Sequence, residues 1–206
     1  MKHLAALLVL ALAGCTSCAE KLVPAGLPGV PLELDPTLAI SSANGNGGHA
    51  CPVNGYVITA AHVVWDEERK TYVRVAWSDG AGSEGLGEVA AIHPALDLVV
   101  LQTEGGAIKF LPAGQIAVGE RVYWFEYDFR TRKNALRARR RFATVLRVVA
   151  QHYILDDMPI AGASGSCLLN EQGQVVGLVV AGFDTDDKLG VGAAVKLPEE
   201  LKASHE

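Results

Sequence analysis

Three residues in this chain are of types that together could split an acyl bond. Ser164 lies in the stretch GASGS (162–166), flanked by glycines and followed by the apolar run CLLN. His62 stands near the end of GYVITAAHV (55–63). Asp97 sits at the mouth of the apolar run LVVL (98–101). Each alone is ordinary: a serine among glycines is commonly a turn, and an aspartate before a strand is commonly a turn or cap. As a set they are the parts of a nucleophilic centre. A serine hydroxyl is a weak nucleophile at neutral pH and needs an adjacent base to take its proton. Histidine suits that task because its charge change ordinarily falls near neutral pH. A carboxylate accepting the other ring N–H would fix the tautomer and stabilise the imidazolium. Whether the three meet depends on the elements that carry them.

Those elements read as strands. Residues 72–77 and 121–129 alternate apolar and polar side chains, a period of two. Short apolar runs at 56–59, 89–92, 98–102, 142–149, 166–169, 174–181 and 191–196 are separated by Gly, Asn, Asp and Pro. Strands at this spacing, with no helical pattern between them, predict an all-β sandwich or barrel. Helix is expected only as a turn at 60–64 and a short tail after Pro198. Asn170, Glu171, Gln172 and Gly173 read as a hairpin turn. An α/β-hydrolase elbow is excluded: position 166 is Ser rather than Gly, the order His, Asp, Ser is the reverse, and the intervening helices are missing.

The phrases TAAH around His62, DLVVL from Asp97 and G-x-S-G around Ser164 together resemble the chymotrypsin-like (trypsin-fold) serine peptidases. GGHACPVNGYVITAAHV, DDMPIAGASGS, QVVGLVVAG and GVGAAV are especially similar to the bacterial HtrA/DegP-type branch. The resemblance covers residues 40–198. It implies two six-stranded antiparallel β-barrels, with His62 and Asp97 on the first, Ser164 on the second and the cleft between them. It implies a serine endopeptidase in which His62 is the base, Asp97 orients it and Ser164 attacks. The N–H groups of Gly162 and Ser164 would form the oxyanion hole. Met158, six before the nucleophile, would floor the S1 pocket, with Val180, Ala181, Gly182, Gly190 and Gly192 in its walls. A floor without an acidic residue predicts small or medium apolar P1 side chains. No PDZ module is expected after the barrels.

The chain also departs from that pattern. After the nucleophile the usual Gly-Gly-Pro reads Gly165-Ser166-Cys167. In digestive relatives an aspartate immediately before the nucleophile pairs with a new amino terminus. Here Ala163 holds that position, so no propeptide cleavage is expected. By the resemblance Cys51 lies near the segment after the nucleophile, so Cys51 and Cys167 are either bridged or simply buried as small hydrophobes. The alternative reading of the whole is an inactive trypsin-fold lipoprotein that binds peptides or cell-envelope polymer.

The ends and the charge pattern bear on location. Residues 4–13 are an unbroken run of Leu, Ala and Val after a basic start. That is too short for a bilayer span and suits a signal peptide. Leu12, Ala13, Gly14 and Cys15 resemble a lipobox, which implies cleavage before Cys15 and lipidation of its thiol. The organisation expected is a lipoprotein signal peptide at 1–14, a Pro/Gly-rich tether at 15–37, the peptidase domain at 38–198 and a tail at 199–206. The protein would then be held in the cell envelope, at the outer membrane facing the periplasm in a Gram-negative host. Cys18 would remain as a free thiol in the tether. The run RTRKNALRARRR, from Arg130 to Arg141, carries seven basic residues in a chain of net charge −5. It reads as a solvated hairpin or as a patch for an anionic partner. The net acidity excludes nucleic acid as a general partner. The histidines are scattered, with no i, i+4 pair, so no metal site is expected, and no cofactor is expected.

Overall fold

A computed structural model describes residues 36–42, 45–79, 81–127, 138–184 and 190–203. Strand propensity and alternation produce two closed antiparallel barrels of six strands each. The first contains β1 (Leu38–Ser42), β2 (Gly47–Val53), β3 (Tyr56–Ala60), β6 (Val75–Ser78), β7 (Glu84–His93) and β8 (Leu98–Gly105), in the order β1-β2-β3-β8-β7-β6. The second contains β9 (Arg121–Tyr127), β10 (Ala138–Val149), β11 (His152–Leu155), β12 (Cys167–Asn170), β13 (Val175–Asp184) and β14 (Gly190–Lys196), in the order β10-β11-β14-β13-β12-β9. Closure leaves neither sheet with an open edge. The fold is trypsin-like, as the resemblance implies.

One expected strand is broken. The alternation over 72–77 is split into β5 (Thr71–Tyr72), which pairs with β4 (Trp65–Asp66), and β6, which enters the barrel. Between them the Val73 amide donates to the Val64 carbonyl at 2.9 Å, so the chain turns out of one ladder before joining the next. α-Helix is confined to two single turns among the described residues, α1 (Ala61–Val64) and α2 (Glu199–Lys202). The fold continues past Pro198, because Leu201 on α2 is buried and Asn54 Nδ2 donates to the Lys202 carbonyl at 2.7 Å.

Packing joins the barrels. A single apolar cluster runs from Ile40, Ile58, Val63 and Leu98 in the first barrel to Phe125, Leu169, Leu178 and Val180 in the second. A separate cluster, including Val122, Trp124, Val145 and Leu168, fills the second barrel. The connecting segment is hydrogen-bonded to both: Asn54 N–H donates to the Leu111 carbonyl and Gly114 N–H to the Val175 carbonyl. Burying apolar surface at this shared seam fixes one barrel against the other.

Candidate active site

His62 lies on α1, directly after β3, and Asp97 lies directly before β8. These two strands are neighbours in register, with Ala60 opposite Leu98, so the ladder brings the two side chains together. Asp97 caps a 3-10 turn (Pro94–Leu96) with a left-handed backbone at φ 50°. Aspartate tolerates that conformation better than most residues. From there its carboxylate reaches back to α1. One oxygen accepts the His62 backbone N–H at 3.0 Å, and the other lies 2.5 Å from His62 Nδ1. The Ala61 amide donates to the Asp97 carbonyl at 2.8 Å. Ring and backbone of the histidine are therefore held by one residue.

Ser164 comes from the second barrel, in the loop between β11 and β12. It meets the first barrel through its backbone: its carbonyl accepts the His49 amide of β2 at 2.9 Å. Its Oγ donates to the Val180 carbonyl at 3.4 Å, and among the described residues no hydrogen bond joins it to His62. Gly162 has φ 97° and Gly165 has φ 87°. At Gly165 a Cβ would collide with the His49 carbonyl oxygen and lie 2.6 Å from Thr59 Oγ1, so only glycine fits there. His62 and Asp97 are thus paired on the first barrel, and Ser164 reaches that barrel at β2 through its backbone carbonyl.

A family profile described as Trypsin-like peptidase domain matches residues 44–178. The chain belongs to the trypsin-like peptidase family. It is a serine endopeptidase. No curated protein matches it in sequence. Among solved structures it is similar to a Glu endopeptidase in complex with MPD, at 14% identity and TM-score 0.66, over 82% of this chain and 87% of that one. It is similar to the MamO protease domain of Magnetospirillum magneticum, at 18% identity and TM-score 0.56, over 84% and 93%. The HtrA-type protease AlgW with tripeptide gives 17% identity and TM-score 0.60, over 78% of this chain and 55% of that one. At these identities the likeness is one of fold.

In this peptidase the segment after Ser164 is well satisfied despite its departure from Gly-Gly-Pro. Ser166 is buried and its Oγ donates to the Phe125 carbonyl at 2.9 Å. Cys167, on β12, is bridged to Cys51 on β2, with Cα atoms 4.9 Å apart and both residues buried. The bridge ties the first barrel to the strand that starts three residues beyond Ser164.

Of the residues named for S1, Met158 is 38% exposed and follows the buttressed Asp157. Gly192 faces the same segment, where a Cβ would come within 2.5 Å of the Asp157 carbonyl and 2.8 Å of Pro159. Val180 is buried on β13. Gly182 pairs with Gly192, Ala181 with Ala193 and Asp184 with Gly190 across the β13–β14 ladder. Cys15, Cys18, the tether up to residue 35 and Arg130 to Arg137 lie outside the described residues.

Sequence reasoning passed over His49. It is fully buried, and burial lowers its imidazole from 6.5 to about 4, against an opposing hydrogen bond with the Gly162 backbone. Its carbonyl accepts Thr59 Oγ1 at 2.6 Å. The fold therefore holds this ring neutral, beside the glycine expected to carry an oxyanion donor. A folded pKa below the unfolded one gives stability that is full above about pH 6.5 and lost as pH falls through about 4. The shift corresponds to about 3 kcal/mol. Urea titrations at pH 7, 5.5 and 4 should show the wild type losing about 3 kcal/mol more than His49→Gln. Parallel losses in the two proteins would contradict this.

Proposed function

We propose that the peptidase cleaves its substrates through His62, Asp97 and Ser164. The observation that carries this is the double hold of Asp97 on His62, through ring and backbone, at the seam where Ser164 enters from the other barrel. In the resting arrangement the Ser164 hydroxyl rests on the Val180 carbonyl. Substrate engagement turns it toward the free nitrogen of His62. The imidazole takes the hydroxyl proton as Oγ attacks the scissile carbonyl, and the negative charge gathers on the former carbonyl oxygen. The N–H groups of Gly162 and Ser164 receive that charge. His62 then gives its proton to the departing amine, and water repeats the sequence on the acyl-enzyme. No new amino terminus is required, because Ala163 offers no charge for one.

Met158 floors S1 in this reading, with Val180, Ala181, Gly182, Gly190 and Gly192 around it. A peptide-library digest tests the assignment: the expected product ends carry small or medium apolar residues at P1, and dominant Lys or Arg would contradict it. Replacing one methylene-sized group in such a pocket changes selectivity only about 10- to 200-fold, so the profile should be graded rather than absolute.

The amino terminus supports attachment through a lipidated Cys15. Among the described residues no helix is long and apolar enough to cross a membrane. Cys15→Ala should move the protein from the membrane fraction to the soluble periplasmic fraction or outside the cell. An unchanged membrane fraction would contradict lipidation. The basic run ending at Arg141 would meet an anionic partner. At its described end Arg140 stacks on the Tyr123 ring at 5.1 Å, and nearby Arg121 stacks on Phe142 at 4.4 Å.

A further inference from the structure

Beneath the nucleophile loop lies a buried carboxylate that the reaction scheme leaves unused. Glu126, on β9, is 1% exposed and continues the inward phase of Val122 and Trp124. Its Oε1 accepts two N–H groups, the Trp124 indole at 3.0 Å and the Ile160 backbone amide at 3.1 Å. The Ile160 carbonyl in turn accepts the Ala163 amide at 3.0 Å, closing the turn that contains Gly162. One residue earlier on β9, the Phe125 carbonyl accepts Ser166 Oγ. On the adjacent strand Arg141 clamps Asp157, with Nε to Oδ2 at 3.0 Å and Nη2 to Oδ1 at 2.7 Å. The loop is thus gripped at 157, 160 and 166, on both sides of Gly162.

A buried carboxylate is costly unless it is hydrogen-bonded and its charge is offset. Two N–H donors supply the first condition. Arg141, on the adjacent strand and clamped to Asp157, lies in the field of Glu126: its guanidinium is held above its usual range first by its hydrogen bonds to Asp157, and further by the charges of Asp157 and Glu126. Apolar packing could have filled this position in an all-β core. A polar acceptor instead sits where one backbone amide of the loop has it as a partner.

We propose that Glu126 is a positioning residue that sets the oxyanion hole: by holding the Ile160 amide it keeps the turn through Gly162 in the arrangement whose N–H groups receive the developing charge. This rests on the assignment of Gly162 and Ser164 as donors. Glu126 touches no substrate and acts through the backbone. Misaligned donors weaken an interaction made mainly in the transition state, so the loss falls on kcat rather than KM.

The test uses the full chain and three variants. Glu126→Met fills the volume without an acceptor, and Glu126→Gln keeps the acceptor oxygen. Trp124→Phe removes the other donor and leaves the Ile160 bond. With a chromogenic peptide amide, Glu126→Met should lower kcat about 100-fold with KM within about threefold of wild type. Glu126→Gln and Trp124→Phe should both stay within about fivefold of wild-type kcat. Amide hydrogen exchange at 160–163 should quicken in Glu126→Met and stay at the wild-type rate in Glu126→Gln. A folded Glu126→Met with wild-type kcat overturns the proposal, and so does an equal loss in Trp124→Phe. If Glu126→Met does not fold, the wild-type Ile160 amide decides: exchange as slow as in β12 supports the anchor, and exchange as fast as in the exposed 106–109 segment overturns it. The exchange readout does not require Ser164 to react. An inert wild type with the exchange difference intact would support the anchor while removing the assignment of Ser164.

Discussion

Replacing Ser164 by Ala, or His62 by Ala, should lower kcat by about 10⁴- to 10⁶-fold while the protein remains folded. His62 is exposed and Ser164 only half-buried, so truncation removes little core packing. Asp97→Asn should cost about 10⁴-fold. Asparagine also tolerates the left-handed backbone at position 97, so this variant tests the carboxylate rather than the turn. The carboxylate both pins the His62 backbone and sets its ring, and an amide can present the wrong group to Nδ1. In the proposed mechanism the three residues act as a unit, so the double variants should be hardly slower than the worst single one. Single-turnover rates with one peptide amide across all variants provide the check. Multiplicative losses would mean that the residues act independently.

The second large effect is structural. Removing the bridge in the double variant Cys51→Ala/Cys167→Ala should lower unfolding free energy by about 3–5 kcal/mol. The bridge closes a loop of 116 residues and links β2 to β12 across the seam, so it restrains the unfolded chain strongly. Both cysteines are buried, so reductant should act on the native protein only as fast as the seam opens. Guanidinium unfolding of oxidised and double-variant protein gives the difference directly. A loss below about 1 kcal/mol would show that packing alone holds the barrels together. Activity should fall with it, since the same bridge anchors the strand that follows Ser164 and the strand that carries His49.

Much of this was legible in the sequence because it follows from local periodicity. The alternation over 121–129, of which residues up to 127 are described, and the apolar runs at 56–59 and 98–102 became β9, β3 and β8 with shifts of boundary. The candidates His62 and Asp97 were picked out by residue type and resemblance, and the structure places them at the ends of neighbouring strands, where the ladder brings them together. The break at Val73 was not legible, since a period of two cannot report a change of partner strand. Nor were His49 and Glu126. Each lies in a phase that reads as core, and its significance comes from the loop of the other barrel or hairpin packed on it. A charged residue in the inward phase of β9 was the one available signal. The replacement of Gly-Gly-Pro by Gly165-Ser166-Cys167 was visible in the sequence, but its accommodation was not. The structure gives Ser166 a carbonyl partner and Cys167 a covalent one.

The central claim is that Ser164 is the nucleophile of a working peptidase. The most direct measurement is labelling of the purified full chain with a fluorophosphonate probe, followed by mass spectrometry of the modified peptide. The expected result is stoichiometric modification at Ser164, absent in Ser164→Ala and strongly slowed in His62→Ala. No labelling of the folded wild type, or labelling at a serine other than Ser164, would contradict the account.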